Sequence, residues 1–315
     1  MKNILIIDGN NMAARFAYAH TLFTSDGIPS GVIFGLLNYL RRILVSSRYK
    51  YKQICFVFDS YPKFRHLVYP EYKAQRKEKR DVDETAEAYY EMYREQLEYL
   101  KVILSNLNII PIILPEYEVD DVVYKMCREL KEENIVIYSS DKDFTQIIQR
   151  GRVVLARPNH RTSFESYIKE RPRYYVLKRL MEGDSSDNIK GVAGIGEKRA
   201  QEVVDLIGKT RFKDFINNLD QAGKWSDKLK ENEDILKRNY KLMVLAYAYK
   251  HLTKKLKPLY VKSRFSITAL KGVIDKFELK SLYEDTSVFQ KILLPLDGVL
   301  PEKYFKAVDS IDDIS

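Results

Sequence analysis

Three short apolar runs constrain this chain more than any other feature of it: NILIID closes at Asp8, QICFVFD at Asp59 and NIVIYSSD at Asp141. Their density of Ile, Val and Phe predicts strands buried on both faces. Between them SGVIFGLLNYLRRILVSS (30–47) and DDVVYKMCRELKEE (120–133) carry helical spacing. Strands alternating with helices predict an α/β fold with a mostly parallel central sheet flanked by helices. Parallel strands share one C-terminal edge, and such folds place their sites there. Asp8, Asp59 and Asp141 are therefore expected along a single rim.

From about residue 180 the pattern turns helical, through EKRAQEVVDLIG, TRFKDFINNL and DILKRNYKLMVLAYAYKHL. The expected division is an α/β core of residues 1–178 followed by an all-helical region, 179–315, whose helices after about 255 only buttress the core. No apolar run approaches the roughly 18 residues that cross a bilayer. MKNILIIDGNN reaches a charge too early for a signal peptide, so a soluble, cytoplasmic protein is expected. Cys55 and Cys127 lie in apolar patterns, which predicts buried free thiols and neither a disulfide nor a zinc site. The net charge of +9 favours a polyanionic partner, and it is concentrated: residues 63–80 hold seven Lys or Arg against two Glu. Taken alone, that run reads as a solvated loop before the amphipathic helix that carries Tyr89, Tyr93, Leu97, Leu100 and Leu104.

Acids also cluster away from the strand ends. YEVDDVVYK supplies Glu118, Asp120 and Asp121, SSDKDFTQ supplies Asp141 and Asp143, and GDSSDN supplies Asp184 and Asp187. Any one cluster is explained by helix capping. Brought to one rim, however, so many carboxylates cannot all stay ionised without cations. All-oxygen ligands suit Mg²⁺ or Mn²⁺. The number of acids exceeds one magnesium site, which implies two ions about 4 Å apart in a phosphoryl-transfer centre. A basic chain bearing such a centre points to a nuclease, with segment 63–80 drawing a phosphodiester toward the acids.

The stretch GVAGIGEKR matches neither nucleotide loop. Its order is G-x-x-G-x-G and no strand precedes it, while Glu197 stands where a P-loop needs lysine. A hairpin between helices fits instead, spanning about 180–207, with Gly191, Gly194 and Gly196 permitting tight turns and exposing backbone N–H groups. Lys190, Lys198 and Arg199 would help it bind a nucleic-acid backbone without reading sequence.

In order, DGNN at Asp8, FVFD at Asp59, PEYKAQR at 70–76, EVDD at 118–121, SSDKDFTQ at 139–146 and GDSSDNIKGVAGIGEKRA at 183–200 strongly resemble the 5′-nuclease, or flap endonuclease, superfamily, and its standalone phage members most. The resemblance covers roughly residues 1–250. It implies a helical arch, about 62–98, and a helix-two-turn-helix module. It further implies Mg²⁺-dependent cleavage of 5′ flaps and of RNA or DNA 5′ ends in replication or repair, primer removal included. Asp8, Asp59, Glu118, Asp120 and Asp121 would form an inner metal set with Asp141 shared or adjacent, and Asp143, Asp184 and Asp187 an outer set. Lys73 and Arg76 would engage the scissile phosphate, Tyr72 would stack on a base, and Arg15 and Lys77 would touch the nucleic acid. The hairpin 191–196 would hold K⁺ through its carbonyls. The implied partners are DNA or RNA–DNA duplexes with flaps, nicks or ends, met by a monomer, and a replication protein recruited by the acidic tail 309–315. Two rivals remain: a PIN-like ribonuclease, which lacks the glycine hairpin, and a non-catalytic DNA-binding accessory protein.

Overall fold

A computed structural model describes residues 3–46, 50–149, 151–156, 172–208, 212–251, 257–261, 265–284, 286–293 and 305–308. The tail 309–315 lies outside the described residues. The chain forms two compact units, one of Met1–Tyr61, Thr85–Ser166 and Lys254–Ser315, the other of Pro62–Glu84 and Tyr167–Thr253. In chain order the strands are β1 (Asn3–Asp8), β2 (Tyr51–Phe58), β3 (Ile110–Ile113), β4 (Ile135–Tyr138), β5 (Val153–Ala156), the two-residue β6 (Gly183–Asp184) and β7 (Ile189–Lys190), β8 (Leu259–Val261) and β9 (Lys306–Val308). The helices used below are α1 (Gly9–Ala19), α2 (Gly31–Ser46), α3 (Lys63–Val68), α4 (Ala74–Val82), α5 (Glu84–Ser105), α6 (Val119–Glu129), α7 (Pro172–Glu182) and α8 (Glu197–Ile207).

The first unit is built on a seven-stranded sheet in the order β5-β4-β1-β2-β3-β8-β9. The three expected strands are adjacent and parallel at its centre, with Asp8 opposite Val57 and Ile7 opposite Tyr138. Leu5, Ile6 and Ile7 have no exposure at all, as the two-faced burial of a parallel sheet requires. Leu5, Ile7, Phe56 and Phe58 share one core with Val32, Ile33, Leu36, Leu37 and Leu40 of α2 and with Leu100, Ile103 and Leu104 of α5. Cys55 and Cys127 are buried free thiols. Burial pushes the Cys127 thiol up to about 12.

The turn from β1 into α1 has no slack. A Cβ on Gly9 would come within 2.7 Å of the Phe58 ring and 2.9 Å of the Val57 carbonyl, so only glycine lets the chain leave the strand directly into a helix.

Two features differ from the linear division at 178/179. The region after 255 is not all helical, since β8 and β9 extend the sheet, β8 antiparallel to β3 and β9 parallel to β8. Its helices Ile267–Lys276 and Thr286–Leu293 place Leu270, Ile274 and Phe289 in the core of the first unit. The basic segment Pro62–Glu84, in turn, belongs with the helices of 167–253. Its anchors are the buried Tyr72, which packs with Val176, Leu180, Ile189 and Leu242, and the buried Arg65, whose Nε donates to Leu242 O at 3.2 Å. The segment 62–98 carries α3, α4 and the start of α5, and it is divided between the units at Glu84 and Thr85.

If the C-terminal helices complete the core, Phe289→Ala should destabilise the protein by about 3–5 kcal/mol in urea unfolding, the usual cost of emptying a buried aromatic site. A loss under about 1 kcal/mol would mean that 286–293 is an appendage.

Candidate active site

Asp8 ends β1 and caps α1. Its Oδ1 accepts from Asn11 N–H at 3.0 Å, and its Oδ2 accepts from the Ser139 hydroxyl at 2.8 Å. Ser139 Oγ in turn accepts from Asp141 N–H at 3.0 Å, and Asp141 Oδ1 accepts from Asp143 N–H at 2.8 Å. On the other side Asp59 follows β2. Its N–H donates to Asn10 Oδ1 at 2.8 Å, and its Oδ1 accepts from Val119 N–H, the first residue of α6, at 2.9 Å. In that helix start Asp121 Oδ2 accepts from Glu118 N–H at 3.3 Å and Asp120 Oδ1 accepts from Asp121 N–H at 2.8 Å. One hydrogen-bonded chain thus ties the ends of β4, β1 and β2 to the α6 start, and it brings together Asp8, Asp59, Glu118, Asp120, Asp121, Asp141 and Asp143.

Sequence reasoning assigned nothing to several members of this chain. Asn10 and Asn11 bridge neighbouring strand ends; Asn11 Oδ1 accepts from the Ser140 hydroxyl at 2.8 Å. Tyr93, read only as part of a helix face, accepts from Asn10 Nδ2 at 3.3 Å. The asparagine and serine pairs in DGNN and SSD were the available signal, because short polar side chains beside a buried carboxylate need partners.

Asp8 is only 6% exposed. Burial above all, then the neighbouring charges of Asp59 and Asp141, pushes its carboxyl up to about 7, against the opposing hydrogen bonds from Asn11 and Ser139. Among the described residues no three acids, histidines or cysteines stand as a closed metal cage. A magnesium-type ion does not require one, since it takes one or two carboxylates and keeps several waters. An all-oxygen donor set that already carries more negative charge than burial tolerates fits a hard divalent cation.

In the second unit the basic motif YKAQR is wrapped on the acidic turn GDSSDN. Arg76 Nη2 donates to Asp187 Oδ1 at 2.6 Å, Lys73 Nζ lies 3.9 Å from the same oxygen, and Tyr72 OH donates to Asp187 Oδ2 at 3.1 Å. Backbone contacts fix the pairing: Lys73 N–H donates to Asp187 O at 3.0 Å and Gln75 Nε2 to Ser185 O at 2.7 Å. Lys73 holds this place with φ of 57°, a left-handed conformation that lysine rarely adopts. Asp184 accepts from Ser186 N–H at 2.8 Å and is ion-paired with Arg179. Tyr72 departs from its expected role. It is 3% exposed and its ring belongs to the core, so it positions Asp187 and presents no face for base stacking. Arg76 keeps half its side chain exposed.

The glycine stretch is a tight connection between α7 and α8, opened by the β6–β7 ribbon. A Cβ on Gly191 would stand 2.2 Å from the Glu182 carbonyl, and one on Gly183, whose φ is +78°, 2.2 Å from Ile189 O. The two backbones therefore touch, and Val192 N–H donates to Met181 O at 2.7 Å. Lys190, Gly194, Gly196, Lys198 and Arg199 are exposed along this connection. Arg15 on α1 and Lys77 on α4 are exposed as well.

A family model described as the 5′-3′ exonuclease N-terminal resolvase-like domain matches residues 3–173, and one for the 5′-3′ exonuclease C-terminal SAM fold matches 171–263. The chain belongs to the 5′-3′ exonuclease family. It is similar to the 5′-3′ exonuclease of Buchnera aphidicola subsp. Baizongia pistaciae, 30% identical over 70% of this chain and 72% of that one. The corresponding protein of Aquifex aeolicus is 28% identical over 90% of this chain and 95% of its own. It also resembles DNA polymerase I of Thermus filiformis, 31% identical over 70% of this chain, and spans only about a quarter of the length of that relative, 26%. Among solved structures, bacteriophage T5 5′-exonuclease with bound zinc shares the fold at a TM-score of 0.64 and 21% identity, covering 93% of this chain and all of that one. A T5 flap endonuclease complex with DNA and metal ions gives 0.63, over 92% of this chain and 100% of that one. Among the described residues no helix of this family member is long and apolar enough to cross a membrane.

The raised Asp8 carboxyl sets the sign of a pH effect. A native acid that holds its proton to about 7, against 3.8 for the ordinary group, binds more protons than the unfolded chain between those values, so stability falls as pH rises through that window. With divalent ions chelated, Asp8→Asn should therefore raise the melting temperature at pH 8, by a gain on the order of a few kcal/mol, and the gain should vanish near pH 4. Equal melting of both proteins at pH 8 would contradict the burial of this charge.

Proposed function

We propose that this family member is a structure-specific 5′-nuclease that hydrolyses phosphodiesters at the 5′ ends, flaps and nicks of DNA or RNA–DNA duplexes, using Mg²⁺ with Mn²⁺ as a substitute. The observation that carries the reading is the hydrogen-bonded chain from Asp141 through Ser139 and Asp8 to α1, and from Asn10 through Asp59 to α6, which gathers seven acids at the C-terminal ends of the parallel strands β4, β1 and β2. Asp8, Asp59, Glu118, Asp120, Asp121 and Asp141 are the proposed metal ligands of this edge, with Asp143 beside them. Asp184 and Asp187 are the proposed ligands of a second ion. When bound, a pair of such ions supplies Lewis acidity at phosphate oxygens and acidifies water.

The chain's own groups do the rest. Ser139 and Asn11 fix the Asp8 carboxylate by one bond to each oxygen, while Asn10, held by Tyr93, fixes the Asp59 backbone. Lys73 and Arg76 are set by Asp187 and would meet the charge that develops on the phosphate. Lys190, Lys198 and Arg199 would grip the duplex backbone at the hairpin, with Arg15 and Lys77 as further contacts. The family match, which runs through the hairpin to residue 263, disfavours a PIN-like ribonuclease. The protein is read as a cytoplasmic monomer that works on replicating or repaired DNA, with a replication protein recruited by the acidic tail 309–315 as its proposed partner.

A labelled 5′-flap duplex should be cut with Mg²⁺ and left intact with EDTA. Asp141→Asn should nearly abolish cutting yet bind the flap in Ca²⁺ as the natural protein does; normal turnover by that variant would remove Asp141 from the site. Flap binding by the natural, folded protein with no Mg²⁺-dependent product would favour the accessory-protein alternative. Lys73→Ala and Arg76→Ala should each slow single-turnover cleavage by about 10²–10³-fold. Weakened binding with an unchanged cleavage rate would reassign both residues to the grip.

A further inference from the structure

The resemblance implies K⁺ held by carbonyls of the hairpin 191–196, and this chain's hairpin does not fit it. Three of its six carbonyl oxygens already accept hydrogen bonds from the chain itself, the one at Gly194 from a side-chain cation. Val192 O accepts from Ile195 N–H and Gly196 O from Ala200 N–H, both at 2.9 Å, and Gly194 O accepts from the Arg199 guanidinium. Just before the loop, Lys190 O accepts from Asn239 Nδ2 at 3.0 Å and from the Arg238 guanidinium. Lys228 Nζ stands 3.0 Å from where a Cβ on Gly194 would lie. A monovalent cation at Gly194 would sit against two like charges and compete with one of them for its ligand.

These cations are braced. The Arg199 guanidinium carbon lies 5.4 Å from the centre of the Trp225 ring, and Lys224 Nζ lies 5.1 Å from it. Trp225 Nε1 donates to Glu202 Oε2 at 3.1 Å, and Lys224 pairs with the same carboxylate at 3.1 Å. Arg238 lies over the Tyr69 ring at 4.6 Å and donates from Nε to Asn239 Oδ1 at 3.1 Å. Asn239 is fully buried and also donates to Leu180 O at 2.9 Å, so Arg238 is tied to a rigid element.

We propose that Arg199 and Lys228, backed by Arg238, take the place of a monovalent ion at the hairpin, so that its hold on a phosphate backbone needs no K⁺. The proposal rests on the reading of 191–196 as a duplex-binding loop. The chain supplies there, in fixed positions, the positive charge that an ion would bring, and an ordered cation beside exposed loop N–H groups attracts phosphate without reading sequence.

The test is equilibrium binding of a nicked duplex in Ca²⁺, at constant ionic strength, in chlorides of K⁺, Na⁺ or tetramethylammonium. Affinity should agree across the three salts within about twofold, and Arg199→Gln should weaken binding and lower the log–log salt slope by about one in every salt. Arg199→Lys should restore the slope. Lys228→Gln carries the same slope expectation, should Arg199→Gln lose its melting transition. Binding tenfold tighter in K⁺ than in tetramethylammonium would overturn the proposal. So would a K⁺-specific rise in the melting temperature of the DNA-free protein, because an ion bound to the native state stabilises it by mass action. If instead neither Arg199→Gln nor Lys228→Gln changes the slope in any salt, the hairpin lies outside the DNA footprint, and that part of the functional reading falls together with this proposal.

Discussion

The carboxylate of Asp8 sits where negative charge is costly, and much of the site follows from how that cost is met. It closes the central strand and starts a helix without an intervening residue, so one oxygen is spent on the helix start and the other on Ser139. Ser139 then orients the backbone at Asp141, while the asparagines that follow Asp8 reach the neighbouring strand ends. Sheet register, helix capping and the crowding of acids are thus a single arrangement. Gly9 is its steric condition, for only a residue without a side chain passes between Phe58 and the Val57 carbonyl.

How much of this could be read from the sequence depends on the kind of information involved. β1, β2 and β4 are short apolar runs whose buried faces leave no polar alternation, and a terminal aspartate marks the edge on which they end. Those features are local and survive in one dimension. β8 and β9 are three residues each, LYV and KAV, too short for any period, and they are strands only because the edge of β3 accepts β8 and β8 in turn accepts β9. The carboxylates of the site were legible as clusters, but the asparagines, serines and Tyr93 that hold them were not, since a hydrogen bond between residues 83 or 131 positions apart leaves no trace in spacing.

The second unit makes the same point from the side of charge. A run of seven basic residues looks like a solvated face, yet Arg65 and Tyr72 within it are buried, and Lys73 and Arg76 are bound to an acidic turn more than a hundred residues later. Composition marked the segment and the sign of its charge. It did not distinguish the two side chains that anchor the segment from those that face outward, because burial of an Arg or a Tyr is decided by partners the segment does not contain.

That pairing has a consequence for how the molecule is made. Residues 62–84 leave the ribosome long before 167–253, with which they form their core, while the sheet strands on either side of them already have partners nearby in the chain. The closure that completes the second unit joins segments roughly 110 positions apart, as in Tyr72 to Asp187 and Gln75 to Ser185. Long-range closure of this kind is entropically late. Assembly of that unit is therefore expected to trail the central strands, and a nascent chain halted before the acidic turn would hold Tyr72 and its basic neighbours without the surface that orders them.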